Sequence, residues 1–185
     1  FGAQDVHHEN LGAFTGSIGA PMLKELGVKF VIIGHSERRF YQKESINELN
    51  KKIKSALSKK LKVIFCIGEK LEEIDNRSRI LKKQLTSLPN NFTSKDIIIA
   101  YEPVWAIGSG KTPSLYEINK IHSSIRKMIN KKIGIESSKI SILYGGSVNQ
   151  NNSREILQLP EVDGALVGGA SLNSKVFCKI IDSSI

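Results

Sequence analysis

Five short apolar runs, each ending at a glycine or at a side chain capable of chemistry, set the limits on what this chain can become. They are Lys29–Gly34, Lys62–Gly68, Asp96–Tyr101, Lys139–Tyr144 and Gly164–Gly168, and Phe1–Gln4 is a candidate end of a sixth. Each is continuous and rich in β-branched residues, the pattern of strands buried on both faces. Between them lie amphipathic patterns over Glu44–Lys60, Leu71–Leu88 and Leu115–Lys132, with shorter ones over Ser153–Leu159 and Asn173–Asp182. In the first of these, Ile46, Leu49, Ile53, Ala56 and Leu57 recur at spacings of three and four, which is one face of a helix. Strand then helix, repeated along the chain, predicts an α/β fold with a parallel sheet and helices outside it. No linker or shift in composition divides residues 1–185, so a single domain is expected.

Composition removes several alternatives. No run approaches the roughly 18 uncharged apolar residues of a spanning helix, which argues against a membrane protein. Two cysteines, Cys66 and Cys178, cannot make a disulfide framework, and no C-x-x-C pair offers a zinc site. A reducing, cytoplasmic setting follows as the expectation. The net charge is +9, from 27 Lys and Arg against 18 Asp and Glu. The lysines at 51, 52, 54, 59 and 60, at 82 and 83, and at 131 and 132 lie on helical patterns without interleaved aromatics. They read as solvated faces, and neither nucleic acid nor a membrane is expected as a partner. The chain opens Phe-Gly-Ala-Gln with no signal region, as a processed protein or a piece of a longer one would.

Chemistry-capable residues sit where strands end, and in parallel α/β folds ligands bind at those carboxyl ends. Glu102 follows Ile97–Tyr101 and precedes Pro103. Partial desolvation there would raise its pKa and its basicity; the competing reading is an ion-paired structural carboxylate. His35 lies between Gly34 and Ser36-Glu37-Arg38-Arg39, where a helix or turn should begin. A helix N-terminus disfavours the imidazolium, so His35 is a candidate neutral donor to a carbonyl, set against a satisfied core histidine. Gly145-Gly146-Ser147 and Gly168-Gly169 each follow a strand and could present free amides to a phosphate. Gly108-Ser-Gly-Lys-Thr112 fails as a nucleotide loop, because the phosphate-loop pattern needs glycine where Trp105 stands and the dinucleotide pattern needs it at Pro113. What remains, Pro103 to Pro113, reads as a lid with apolar side chains that bury on closing.

These residues together resemble the triosephosphate isomerase family. Ala100-Tyr-Glu-Pro-Val-Trp-Ala-Ile-Gly-Ser-Gly-Lys-Thr-Pro113 is similar to its catalytic glutamate and closing loop. Gly34-His-Ser-Glu-Arg-Arg39, Cys66-Ile-Gly-Glu69, Tyr144-Gly-Gly-Ser147 and Gly164-Ala-Leu-Val-Gly-Gly-Ala-Ser-Leu172 resemble its other signatures, in the family's order. The resemblance implies a (β/α)8 TIM barrel, a glycolytic and gluconeogenic isomerase of dihydroxyacetone phosphate and glyceraldehyde 3-phosphate, and no cofactor or metal. By the same resemblance Glu102 would be the base, His35 the electrophile and Glu37 a nearby buried acid. The lid would comprise Val104, Trp105, Ala106, Ile107, Gly108, Ser109, Gly110 and Lys111. Gly108, Ser147, Gly168 and Gly169 would hold the phosphate, and Cys66 would be a buried structural neighbour. Phe14, Thr15 and Gly16 resemble a protruding subunit-docking loop, although Ser17 and Gly19 depart from the family's usual glutamate and serine.

A family barrel has eight strand-helix units and about 250 residues. The runs here supply six, matching the third to eighth units, so an incomplete barrel is expected. No Asn-x-Lys stands at a matching strand end, and the family's lysine there offsets phosphate and enediolate charge. A preorganised group of that kind contributes roughly 100–1000-fold in rate. The expectation is therefore a truncated chain with little or no turnover that self-associates as a homo-oligomer to cover open barrel edges. The alternatives are a piece of an ordinary isomerase and a non-catalytic phosphate-binding or self-assembling barrel fragment.

Overall fold

A computed structural model describes residues 1–90, 92–133 and 140–184. Six parallel strands pair in chain order: β1 (Gly2–Ala3), β2 (Phe30–Ile33), β3 (Lys62–Ile67), β4 (Ile97–Tyr101), β5 (Ile142–Tyr144) and β6 (Gly164–Ala165). The helices between them are α1 (Ala20–Glu25), α2 (Ser36–Tyr41), α3 (Ile46–Ser58), α4 (Arg77–Leu85), α5 (Leu115–Ile133), α6 (Ser153–Leu157) and α7 (Ser174–Asp182). Among the described residues β1 and β6 are each paired on one side only, so the sheet is an incomplete barrel. Lys139, expected at the start of the fifth strand, lies outside the described residues.

Register explains where the core sits. Ile33, Phe65, Ile99 and Ile142 align across β2 to β5, and all four are 0% exposed. This row faces the helices, where Leu49, Ile53, Ile118 and Ile125 close over it. The next row, Ile32, Ile64 and Ile98, points to the concave side and is only partly buried. The sequence predicted burial on both faces; an unclosed sheet has no strands opposite to fill its inner side.

Local chemistry starts and stops the helices. Ser45 caps α3 through a reciprocal box with Glu48, each side chain taking the other's backbone N–H. The expected single helix over 71–88 is instead a 3₁₀ turn at Leu71–Asn76 followed by α4. Asn76, at φ −103° and ψ 9°, breaks the path between them. The amphipathic pattern passed over α1 and left α2 as a helix-or-turn start; at six residues each, they are too short to repeat a face. In a β-then-α chain of this kind, strand carboxyl ends and helix N-termini share one end of the molecule, and helix carboxyl ends share the other.

Candidate active site

Five of the six strand ends open into one cleft of ≈ 760 Å³. Gln4 and Asp5 come from β1, His35 from β2, Glu102 from β4, Gly145 to Ser147 from β5, and Gly168 with Gly169 from β6. Ile107, Gly108 and Gly110 reach it from the loop after β4.

Glu102 is set by its backbone first. Its N–H donates to the Ile67 carbonyl at 2.7 Å, continuing the β3–β4 ladder one residue past the strand. A Cβ on Gly68 would overlap the Glu102 carbonyl, and one on Gly145 would stand 2.9 Å from Glu102 Cγ. Glycine at these two positions is what lets the glutamate sit at the strand tip. The side chain is 2% exposed. Burial raises its pKa above the usual carboxylate range; His35, the Ser36 N–H, Cys66 and Arg39 pull it back down.

His35 caps α2, and its Nδ1 accepts the Glu37 N–H at 3.3 Å. In the neutral ring the proton therefore sits on Nε2, 3.1 Å from Glu102 Oε1. Glu102 Oε2 accepts the Ser36 N–H at 3.1 Å, so one helix start engages both catalytic candidates. Glu37 corrects an expectation. Its side chain is 69% exposed and its Oε2 lies 3.8 Å from His35 Nδ1, at the cleft mouth rather than in the interior. A residue in the first turn of a short helix whose N-cap faces the cleft projects outward with it.

Sequence reasoning passed over Arg39. Its Nε donates to the Gly34 carbonyl at 2.7 Å and its Nη2 to the Cys66 carbonyl at 2.8 Å, tying the ends of β2 and β3 together behind the site. Only the positive φ of Gly34, +74°, and the tight fit beside it hint at this arginine. Cys66 is fully buried, and its thiol lies against Glu102. Burial is the main cause that pushes the thiol up, so it stays protonated.

The loop after β4 is anchored at its base and open at its tip. Trp105 Nε1 donates to Glu69 Oε1 at 3.4 Å, and the same oxygen accepts from Arg77 Nε at 2.8 Å and from the Tyr101 hydroxyl at 3.0 Å. Ala106 is buried, and its carbonyl accepts the Ser147 hydroxyl. Gly108, Ser109, Gly110 and Lys111 are exposed, and Gly108 and Gly110 carry positive φ. Phe14, Thr15 and Gly16 lie outside the cleft on an exposed loop, with the Phe14 ring tilted against His7 at 4.1 Å. At Gly19 a Cβ would stand 2.7 Å from the Asn10 carbonyl, so a serine there would collide with the returning chain. Among the described residues no three His, Cys, Asp or Glu side chains gather as a metal site requires.

With this geometry in place, comparison with known proteins decides the family. The model for triosephosphate isomerase matches residues 1–184. The chain belongs to the triosephosphate isomerase family. It is 49% identical over 190 residues to the triosephosphate isomerase of Alkaliphilus metalliredigens, covering 98% of this chain and 75% of that protein. To the triosephosphate isomerase of Carboxydothermus hydrogenoformans it is 44% identical over 193 residues, covering 100% and 76%. The crystal structure of the Bartonella henselae triosephosphate isomerase superposes with a TM-score of 0.91 at 41% identity, over 98% of this chain and 75% of that one. The chain thus corresponds to about three quarters of each of these triosephosphate isomerases and has their barrel in incomplete form.

Proposed function

We propose that residues 1–185 carry the base, the electrophile and the phosphate cradle of a triosephosphate isomerase, on one domain built from the third to eighth barrel units. The single observation behind this reading is the 3.1 Å approach of His35 Nε2 to Glu102 Oε1 at the floor of a cleft bordered by glycine amides. This division of labour is the established one for the family. Glu102 takes a proton from the hydroxymethyl carbon of dihydroxyacetone phosphate, and the electron pair moves toward the carbonyl oxygen. His35 donates its Nε2 proton to that oxygen, giving the enediol, and takes back the proton of the neighbouring hydroxyl; the proton held by Glu102 then goes to the former carbonyl carbon, giving glyceraldehyde 3-phosphate with both side chains restored. The Gly168 and Gly169 amides, with Ser147 and Gly108, take the phosphate, and residues 104–111 fold over it. Phe14, Thr15 and Gly16 dock a second subunit.

Turnover by these 185 residues alone is weak on this reading. Among the described residues no lysine lines the cleft, and its one arginine, Arg38, is held by Asp5 at 2.8 Å and Glu44 at 2.8 Å. A missing preorganised cation costs roughly 100–1000-fold. The test is deuterium uptake from D₂O into dihydroxyacetone phosphate, followed by NMR, together with titration of a phosphorylated hydroxamate. Slow uptake that Glu102→Gln abolishes, with hydroxamate shifts at Gly168 and Gly169, is the expected result. Uptake indifferent to Glu102→Gln would refute the base assignment, and ordinary turnover would refute the weak-turnover reading. Binding without any uptake would favour a phosphate-binding module instead.

A further inference from the structure

We propose that the end of the molecule opposite the cleft is a docking face for an anionic lipid surface. Three Lys-Lys pairs that look unrelated along the sequence are gathered there by the topology. Lys59 and Lys60 follow α3, Lys82 and Lys83 lie in the last turn of α4, and Lys131 and Lys132 lie in the last turn of α5. Lys29 and Lys62 stand where β2 and β3 begin, at the same end, with the Lys62 N–H donating to the Lys29 carbonyl at 2.9 Å.

The bland account of such lysines is that they complement helix dipoles. That accounts for part of the charge. A helix carboxyl end carries about half a negative charge, so three ends offset roughly 1.5 of six positive charges. Among the described residues the acids at this end do not supply the rest. Glu161 and Asp163 are engaged by Arg126 at 3.0 and 2.8 Å, and Asp96 takes the Thr93 N–H and hydroxyl. Glu25 and Asp182 share their helices' ends with Lys24 and Lys179. None of the three pairs takes part in an ion pair among the described residues.

Shape then selects the partner. The active-site cleft, the cleft between α4 and α5 (≈ 460 Å³) and the shallower one on α5 (≈ 380 Å³) are all lined by other residues. The pairs sit on three separate helix ends. No aromatic is interleaved among the three pairs to stack on bases, as a nucleic-acid strand would reward. A planar array of anionic headgroups meets all the helix ends at once. Leu26, 68% exposed just past α1, offers an apolar side chain to the headgroup boundary at the same end. Docking this way leaves the catalytic cleft facing solvent.

Co-sedimentation of the 185-residue chain with vesicles tests the face. Phosphatidylcholine vesicles with about one third phosphatidylglycerol should capture the protein at low salt, and pure phosphatidylcholine should not. One lysine near an anionic leaflet contributes about a five-fold factor in partition, so Lys82→Gln with Lys83→Gln should lower capture roughly twenty-five-fold. Lys43→Gln with Lys70→Gln, at the cleft end, should leave it unchanged; circular dichroism melts establish that both doubles fold. Equal capture by neutral vesicles, or equal losses in the two double variants, overturns the proposal. So does retention of homopolymer RNA on filters with no vesicle capture.

Discussion

Arg39→Lys keeps the charge and removes the fork. The guanidinium serves two carbonyls at once, Gly34 at 2.7 Å and Cys66 at 2.8 Å. A lysine ammonium is a point donor on a differently shaped stem and cannot span both. One carbonyl at the end of β2 or β3 then loses a charge-assisted bond, worth about 1.5–3 kcal/mol, in a place water reaches poorly. Burial lowers the Arg39 pKa, with Cys66, Glu102 and Glu44 acting against it, so the site already bears a desolvation cost that these bonds help to offset. The expected loss is about 2–3 kcal/mol, or about 4–12 °C in melting temperature for a chain of this size. Urea unfolding followed by circular dichroism reads the global loss. Fluorescence of Trp105, the only tryptophan, reports the lid base. Gly34 precedes His35 and Cys66 backs Glu102, so the His35 ring resonances should also broaden. A variant within about 0.5 kcal/mol of the parent would refute the claim that Arg39 holds the two strand ends together.

Two further outcomes follow from buried titrating groups. Glu102 has a raised folded pKa, so the folded state holds its proton longer than the unfolded state, and stability falls as pH rises from the carboxylate range through that raised value. Glu102→Gln should therefore melt higher than the parent at pH 8 and lose that advantage at pH 4. Equal melting differences at both pH values would contradict it. His122 is fully buried, and burial chiefly lowers its pKa to about 4, so the unfolded chain binds the extra proton and stability falls as pH drops from about 6.5 to 4. His122→Phe keeps the edge-on packing against Tyr101 and should shrink the melting difference between pH 7 and pH 5; an unchanged difference would place the acid sensitivity elsewhere.

Much of the fold was legible because its signals are local. Apolar runs around Val31, Val63 and Ile99 read as strands, and the spacing of Ile46, Leu49 and Ile53 at threes and fours reads as α3. Irregular spacing over 71–88 was the one sign that the helix there is broken, and it was too weak to locate Asn76. The exposure of Glu37 was not legible, since one residue on a six-residue helix has no periodicity to betray which way it faces.

Parallel strand–helix repetition alone was enough to bring Glu102, His35 and the two glycine sets to one end, because every such crossover returns the chain to the same side of the sheet. Tertiary structure alone decided the finer relations. It made Arg39 a clasp and left Ile32, Ile64 and Ile98 half-covered. Each of these depends on which elements become neighbours across the sheet and on whether the sheet closes, and neither is written in the order of residues within any single element.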